Sequence, residues 1–167
     1  MKIIVLSDSH GVAFNIIRAL DMHRDADVAI FLGDGASDFL GRRERYPNIA
    51  FLAVAGNNDI GAALTHGLSR AEEITLEGKK IFYTHGNNYA VDFGLGNIIS
   101  AARSRGSDIV LFGHMHKPLE KYIPEDEEGG ALYLVNPGSI GGVRAPESTY
   151  AIITIEGDDV LISHGKL

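Results

Sequence analysis

The stretch Leu6-Ser7-Asp8-Ser9-His10-Gly11 decides the fold, because it joins an apolar run to a segment with helical periodicity. Residues 2–6 predict a central strand, apolar on both faces as the strands of parallel sheets are. Asp8 and His10 follow at its tip, where the ligands of open α/β sheets gather. In an extended segment residues two apart point the same way, so both side chains can face one point. Alternatively, Asp8 or Ser9 caps the following helix.

Length and composition predict one soluble domain. The chain has 167 residues, of which 45% are hydrophobic, so we expect a single domain over residues 1–167 with a substantial core. The absence of cysteine excludes disulfides and zinc–thiolate sites. The apolar run after Lys2 is too short for a signal peptide, and no segment reaches the roughly 18 apolar residues of a membrane span. We therefore expect a cytoplasmic protein without a membrane partner.

The net charge of −7 bears on the possible partners. A nucleic-acid-binding surface needs a basic footprint, which this charge disfavours. Bound divalent cations would reverse the sign of the charge locally, so the argument applies to the outer surface and not to a pocket. We expect a small-molecule substrate, and a homo-oligomer stays open.

Three strand–helix units in succession predict a parallel sheet with right-handed crossovers. The strands are predicted at residues 2–6, 28–32 and 49–55, and the helices at residues 12–23 and 36–45. Two further strands at residues 73–76 and 80–83, a helix from about Leu95 to Gly106 and a buried strand at residues 109–112 follow. Four short strands then predict a mostly antiparallel C-terminal part, at residues 119–123, 131–135, 149–155 and 160–163. The acidic run 125–128 is interpreted as a solvated hairpin loop.

Polar side chains follow five of the predicted strands. They are Asp8 and His10, Asp34, Asn57, His85, and His114 with His116. All offer oxygen or imidazole nitrogen, a donor set that suits Mn, Fe, Zn, Ni or Co. Seven ligands are too many for one ion and right for two ions that share a bridging carboxylate.

Each cluster also has a purely structural interpretation. His85 could be a core histidine with its hydrogen bonds satisfied, His114 and His116 could be a pair on a solvated edge, and Asp34 between two glycines could serve a turn. All these interpretations would have to hold together, each at the end of an apolar run. We therefore predict a metal centre.

The combined motifs resemble the calcineurin-like metallophosphoesterase superfamily. The chain length and the segment Asn136-Pro137-Gly138-Ser139 are similar to its small, single-domain bacterial and archaeal phosphodiesterases. The resemblance covers residues 3 to about 155 and implies an α/β fold, a four-layer α/β/β/α sandwich of two mixed sheets flanked by helices. The motifs that carry it are Asp8-x-His10, Gly33-Asp34, Gly56-Asn57-x-Asp59, His85-Gly86 and Gly113-His114-x-His116.

The resemblance also implies a role for each of these residues. The first metal would take Asp8, His10 and His116, the second would take Asn57, His85 and His114, and Asp34 would bridge them. Catalytic roles are implied for Asp34, Asn57 and His114. The implied reaction is hydrolysis of a small phosphodiester by a hydroxide that bridges two divalent ions, with Mn expected first and Ni, Fe, Zn or Co as alternatives.

One position departs from the superfamily pattern. Many members have a histidine after the motif Asn, where it can protonate the leaving group, whereas this chain has Asn58. Good leaving groups should therefore be favoured. Asn58 and Arg144 are candidate substrate-binding residues, since the guanidinium of Arg144 could contact a phosphate oxygen. Asp59 is expected to orient another residue without touching metal.

Residues outside these clusters are given structural roles. The segment 136–139 is interpreted as a turn that packs behind the metal loops. His23, His66 and His164 are interpreted as surface residues of a helix or of loops.

Four functions compete at this stage. A phosphodiesterase needs all the ligands, which are present. A phosphomonoesterase is a near alternative. A non-catalytic scaffold, as in a trafficking-complex subunit of the superfamily, would be expected to have lost ligands. A nuclease would need additional DNA-binding segments and a basic surface.

Overall fold

The computed structural model of the chain describes residues 1–59, 61, 65–127 and 129–167. In these residues the α-helices are α1 (Ala13–Met22), α2 (Ala36–Leu40) and α3 (Gly96–Ser104). The strands are β1 (Lys2–Leu6), β2 (Val28–Phe31), β3 (Ala50–Ala53), β4 (Ala71–Leu76), β5 (Lys79–Thr84), β6 (Ile109–Phe112), β7 (Pro118–Ile123), β8 (Leu132–Pro137), β9 (Thr149–Glu156) and β10 (Asp159–Lys166). Short 3-10 turns at Arg43–Arg45 and Asn87–Tyr89 complete the described elements.

The first sheet has the strand order β10-β9-β1-β2-β3. β1, β2 and β3 are parallel, as the strand–helix succession predicts, and β9 runs antiparallel to β1. Leu6 pairs with Phe31 and Phe31 pairs with Ala53, so the three parallel strands end side by side. Their following loops therefore meet at one edge of the sheet.

The second sheet has the strand order β4-β5-β6-β8-β7. β5, β6 and β8 are parallel, whereas the edge strands β4 and β7 are antiparallel to their neighbours. The prediction of a mostly antiparallel C-terminal part is confirmed for the pairs β7–β8, β1–β9 and β9–β10, whereas β8 also pairs in parallel with β6. β9 and β10 leave this sheet and complete the first one.

Three apolar clusters separate four layers. The two faces of β1 show this, because Ile3 and Val5 belong to the cluster between the sheets and Ile4 and Leu6 belong to the cluster beneath the first helices. A third cluster joins α3 to the outer face of the second sheet. The sandwich implied by the resemblance is confirmed, with its core between two sheets whose central strands are buried on both faces.

Several side chains outside the clusters differ from their predicted surroundings. His23 is partly buried and hydrogen-bonds to the Tyr150 hydroxyl at 3.0 Å, and burial lowers its pKa. His164 lies within β10, not in a loop, and donates from Nε2 to the Asn136 carbonyl. Both rings are partly exposed and each has a partner, since His23 also packs against the Tyr150 ring, and His66 is exposed as predicted.

The acidic run is exposed at residues 125–127, with an isolated bridge between Asp126 and Gly129, while Glu128 lies outside the described residues. No helix in the described part of the chain is both long and apolar enough to cross a membrane.

Candidate metal centre

The residues predicted as ligands lie on loops at the carboxyl ends of the central strands of both sheets. They are Asp8 and His10 after β1, Asp34 after β2, Asn57 after β3, His85 after β5, and His114 with His116 after β6. Thr84 of β5 pairs with Phe112 of β6, so the second sheet brings its loops to the same level. The fold therefore brings all seven residues to one place.

Five of these residues have a left-handed backbone conformation. The φ angles are +57° at Asp8, +45° at His10, +58° at Asp34, +66° at His114 and +56° at His116. The extended conformation expected between Asp8 and His10 is therefore wrong. A left-handed conformation costs a non-glycine residue roughly 1–2 kcal/mol. Such strain persists where the surrounding structure enforces it, and it is concentrated at functional sites.

The alternative role of helix capping is also wrong. α1 is preceded by Val12, and no side chain caps its first turn. Ser9 instead donates from Oγ to Asp38 Oδ2 at 2.7 Å. Asp8 Oδ2 accepts from Ser7 Oγ at 2.5 Å and from the His114 N–H at 3.1 Å. These bonds orient the Asp8 carboxylate towards the neighbouring histidines.

Three donors form the first candidate group, around Asp8. Asp8 Oδ1 lies 3.1 Å from His116 Nε2 and 3.8 Å from His10 Nε2. The two histidine Nε2 atoms are 3.3 Å apart. Asp8, His10 and His116 therefore offer one donor atom each within a sphere suited to a metal ion.

The second candidate group lies around His85. Asp34 Oδ2 lies 3.5 Å from His85 Nε2, and Asn57 Oδ1 lies 3.1 Å from the same nitrogen. His114 adds its Nδ1 at 3.2 Å from His85 Nε2. Asp34 Oδ2 is also 3.9 Å from His10 Nε2, so this carboxylate stands between the two groups.

Main-chain carbonyls orient two of the histidines. His85 donates from Nδ1 to the Leu32 carbonyl at 2.8 Å, and His116 donates from Nδ1 to the Val143 carbonyl at 2.7 Å. A carbonyl only accepts, so each Nδ1 carries a proton and each Nε2 presents its lone pair to the cluster when the ring is neutral. This is the usual arrangement of metal-binding histidines.

The arrangement of the donor atoms suits bound divalent metal ions better than it suits hydrogen bonds among the donors themselves. Asp8 Oδ1 is buried and, among the described residues, has no hydrogen-bond partner of good geometry, although His116 Nε2 is 3.1 Å away. An unsatisfied buried polar atom costs about 1–3 kcal/mol, and a bound cation would satisfy it. The paired ring nitrogens likewise point lone pairs at common positions. Nitrogen and oxygen donors of this kind suit Mn, Fe, Zn, Ni or Co.

Charges within the cluster shift several pKa values. Burial by itself would raise the pKa of Asp34, but His85 and the N–H groups of Asn58 lower it well below its usual range. Burial would lower the pKa of His85, whereas its hydrogen bond to Asp34 and the charge of Asp8 raise it. The Asp8 carboxylate, 3.1 Å from Nε2, likewise raises the pKa of His116, against the effect of burial. The Asp34 carboxylate is therefore ionised and attracts positive charge.

Glycines allow the loops to approach one another. A Cβ on Gly33 would lie 2.3 Å from the Gly56 nitrogen, and a Cβ on Gly56 would lie 2.2 Å from Asp34 Oδ1. A Cβ on Gly113 would lie 2.0 Å from Ser7 Oγ. Larger residues at these positions would separate the loops that carry the donors.

Asp59 fixes the loops after β2 and β3 without being a donor of either group. Its carboxylate accepts the backbone N–H groups of Asp34 at 2.7 Å, Gly35 at 2.8 Å, and Ala36 and Gly56 at 2.9 Å. Asp59 therefore orients the Asp34 loop, in agreement with the expectation that it acts through another residue.

The segment after β8 clamps two loops from behind. Asn136 donates from Nδ2 to the Gly113 carbonyl, and Ser139 donates from Oγ to the Asp8 carbonyl, both at 2.8 Å. The backbone N–H groups of Ile140 and Gly141 donate to Ser7 and Asp8. The turn interpretation of residues 136–139 agrees with this position.

The two candidate substrate-binding residues line a recess above the donors. Its volume is about 300 Å³, and His10, Asn57, His116 and Val143 are also in its wall. Asn58 donates from its backbone N–H to Asp34 Oδ1 and from Nδ2 to Asp34 Oδ2. Arg144 is exposed and has a φ angle of +60°.

A second recess of about 450 Å³ adjoins the first. It shares His10, Asp34 and Asn58 with it and continues over Ser37 and Asp38. The cluster of donors therefore lies where two recesses meet.

Ser7 and Asp92 were missed by the sequence reasoning. Asp92 Oδ2 lies 2.8 Å from His114 Nε2, on the side of the ring that faces away from His85. Ser7 precedes Asp8 and carries no signal apart from its position at the strand tip. Asp92 lies in a segment of mixed polarity without periodicity, so no pattern could have selected it.

A four-layer sandwich with a cluster of histidine, carboxylate and amide donors at its strand ends defines a class of metal-binding hydrolase folds. The chain belongs to the calcineurin-like phosphoesterase superfamily, whose sequence profile matches residues 1–158. It is 31% identical over 162 residues to a probable metallophosphoesterase of Bacillus subtilis, covering 95% of this chain and 86% of the relative.

Two further proteins agree with this family. A phosphodiesterase of Methanocaldococcus jannaschii is 28% identical over 168 residues, covering 93% of this chain and 94% of the relative. A crystal structure of a conserved Streptococcus pneumoniae protein, described as a predicted phosphoesterase, superposes with a TM-score of 0.78 at 26% identity, covering 99% of this chain and 88% of the other.

Proposed function

We propose that the protein is a metal-dependent phosphodiesterase that hydrolyses a small phosphodiester. The observation that carries the proposal is the convergence of donors at the strand ends, where Asp8, His10 and His116 form one group and Asp8, Asp34 and His85 form another, each compact enough to hold a metal ion. The phosphodiesterase activity in the name of the archaeal relative supports the same reaction class. The cofactors we propose are two divalent transition-metal ions, Mn first and Ni, Fe, Zn or Co as alternatives.

The roles of the residues follow from their positions. When bound, two divalent ions would lower the pKa of a water and stabilise the negative charge that develops during displacement at phosphorus. Asp8, His10 and His116 would hold one ion, Asn57, His85 and His114 the other, and Asp34, between the groups, would hold both.

Two wall residues complete the proposed site. Asn58 Nδ2 lies beside Asp34 and would donate to a phosphoryl oxygen, while the guanidinium of Arg144 would neutralise phosphate charge.

The two adjoining recesses favour a diester over a monoester. A phosphodiester has a substituent on each side of phosphorus, so one group can occupy the recess beside Arg144 and the other the recess beside Ser37 and Asp38. A monoester has one substituent and would leave one recess empty. The volumes of 300 Å³ and 450 Å³ match small substituents better than a nucleic-acid duplex.

The decisive experiment combines metal analysis with a panel of phosphomonoesters, phosphodiesters and cyclic nucleotides. We expect two equivalents of metal per chain after reconstitution with Mn, hydrolysis of diesters in preference to monoesters, and loss of activity with chelator. His85→Ala should lose metal and activity, whereas the control His23→Gln, which removes a histidine remote from the cluster, should keep both. Binding of metal without hydrolysis of any ester would favour the scaffold instead, and no more than one equivalent would contradict the two-metal site.

A further inference from the structure

His114 differs in ring orientation from His85 and His116, the two histidines of the cluster that bind main-chain carbonyls. His85 and His116 both use Nδ1 to bind a carbonyl and present Nε2 to the cluster. His114 presents Nδ1 to the cluster, at 3.2 Å from His85 Nε2, and directs Nε2 outwards to Asp92. Its outer partner is therefore a carboxylate side chain, and not a main-chain carbonyl.

We propose that Asp92 is a positioning residue for the second metal: its carboxylate holds His114 with the proton on Nε2, so that Nδ1 presents a lone pair beside His85 and Asn57. This inference rests on the proposed function, because it assumes that His114 binds metal. An ionised carboxylate accepts hydrogen bonds and donates none. At 2.8 Å from Nε2, Asp92 Oδ2 selects the tautomer that leaves Nδ1 free.

The conformation of the loop that carries Asp92 holds this residue beside His114. Ala90 has a left-handed backbone with a φ angle of +53°, and the Phe93 N–H donates to its carbonyl at 2.9 Å. Between them, Val91 is 1% exposed and packs in the apolar cluster beneath α3. Val91 thus anchors the loop while the turn directs Asp92 towards His114. An ion pair of a half-exposed aspartate contributes little to stability by itself, so stability alone does not explain why the loop orders Asp92 beside His114.

The arrangement makes the two metal positions unequal. His116 of the first group and His85 of the second have a main-chain carbonyl as outer partner, whereas His114 of the second group has a carboxylate. A carboxylate partner raises the basicity of a metal-binding imidazole, and removing such partners typically weakens metal binding about 10–100-fold. Loss of Asp92 should therefore weaken one metal affinity and leave the other unchanged.

The test measures metal binding and the proton position separately from activity. Asp92→Ala and Asp92→Asn are titrated with Mn by calorimetry, beside wild type and two controls. Phe93→Ala alters the neighbouring, 93% exposed side chain of the same loop, and Asp158→Ala removes one negative charge from a remote turn. We expect Asp92→Ala to weaken one of the two Mn affinities about 10–100-fold. Asp92→Asn should fall between this variant and wild type because its amide oxygen still accepts, and both controls should match wild type.

Nitrogen-15 NMR of the metal-free protein at alkaline pH, where histidines are neutral, reads the tautomer of His114 directly. We expect Nε2–H in wild type and a mixture in Asp92→Ala. Unchanged Mn affinities with two metals still bound would overturn the role of Asp92 and leave the proposed function intact. An unchanged tautomer in Asp92→Ala would overturn it as well. Wild type that binds fewer than two metals and hydrolyses no ester would overturn the proposed function, while the NMR comparison would still decide whether Asp92 orients His114.

Discussion

Replacing Asp59 by alanine should destabilise the protein by about 3 kcal/mol before any metal is bound. The Asp59 carboxylate accepts four backbone N–H groups, of which those of Asp34, Ala36 and Gly56 belong to buried residues. A buried donor without a partner costs about 1–3 kcal/mol. Because Asp59 is only partly buried, water would enter the vacated space, so we take the lower value for each of the three donors.

The assay is urea unfolding of the metal-free protein, so that metal loss does not contribute. A loss of about 3 kcal/mol corresponds to roughly 6–12 °C in Tm for a chain of this size. Asp59→Asn should be nearly as unstable. Its side-chain NH2 would replace one carboxylate oxygen and would face two backbone N–H groups that need an acceptor. Asp27→Ala is the matched control, since Asp27 accepts a single exposed backbone N–H, that of Lys2, and should cost no more than about 1 kcal/mol. If Asp59→Ala lost less than about 1 kcal/mol, the clamp around the Asp34 loop would be refuted.

Three further predictions concern the proposed chemistry. Asp34→Asn should abolish turnover while the protein stays folded; more than about a tenth of the wild-type rate, a barrier change below roughly 1.4 kcal/mol, would contradict its bridging role. The pKa values of His85 and His116 are raised above the ordinary histidine value of 6.5. Protonation of the two rings therefore stabilises the metal-free protein below pH 6.5, and this contribution is lost as the pH rises through the raised pKa values. Metal, in contrast, binds the neutral rings. The Tm should therefore fall with pH above about 6.5 without metal and rise with it, and the same slope in both forms would be inconsistent with these shifts. Asn58→His should raise rates selectively for alkyl diesters with poor leaving groups, with up to about 10²–10⁴-fold available from a general acid, and a uniform change across aryl and alkyl diesters would exclude proton supply at this position.

The succession of strands and helices in the first half and the parallel direction of β1, β2 and β3 were predictable, because apolar runs and glycine-rich ends follow one another with regular spacing. Residues 2–6 and 109–112 are strands with the predicted bounds. The two sheets were not predictable from the pattern alone. Nothing local in residues 149–166 indicates that β9 pairs with β1 at the other end of the chain and carries β10 with it, since such pairing depends on contacts far apart in sequence.

The donors of the centre were predictable because they are chemically conspicuous at strand ends. Their geometry was not, since the left-handed φ angles of Asp8 and His10 contradict the extended conformation that their spacing favours. The supporting residues were harder still. The four bonds of Asp59 and the contact of Asp92 with His114 join loops that are distant in sequence.

The left-handed backbone at five of the proposed ligands has a consequence for how this protein changes under selection. Glycine adopts that conformation at no steric cost, so at each of these positions glycine would relieve roughly 1–2 kcal/mol of strain. The five together amount to roughly 5–10 kcal/mol, about as much as the entire stability of an ordinary domain. A lineage selected only for a durable fold would therefore drift towards glycine at Asp8, His10, Asp34, His114 and His116. The persistence of side chains there would then record continued demand for what those side chains do.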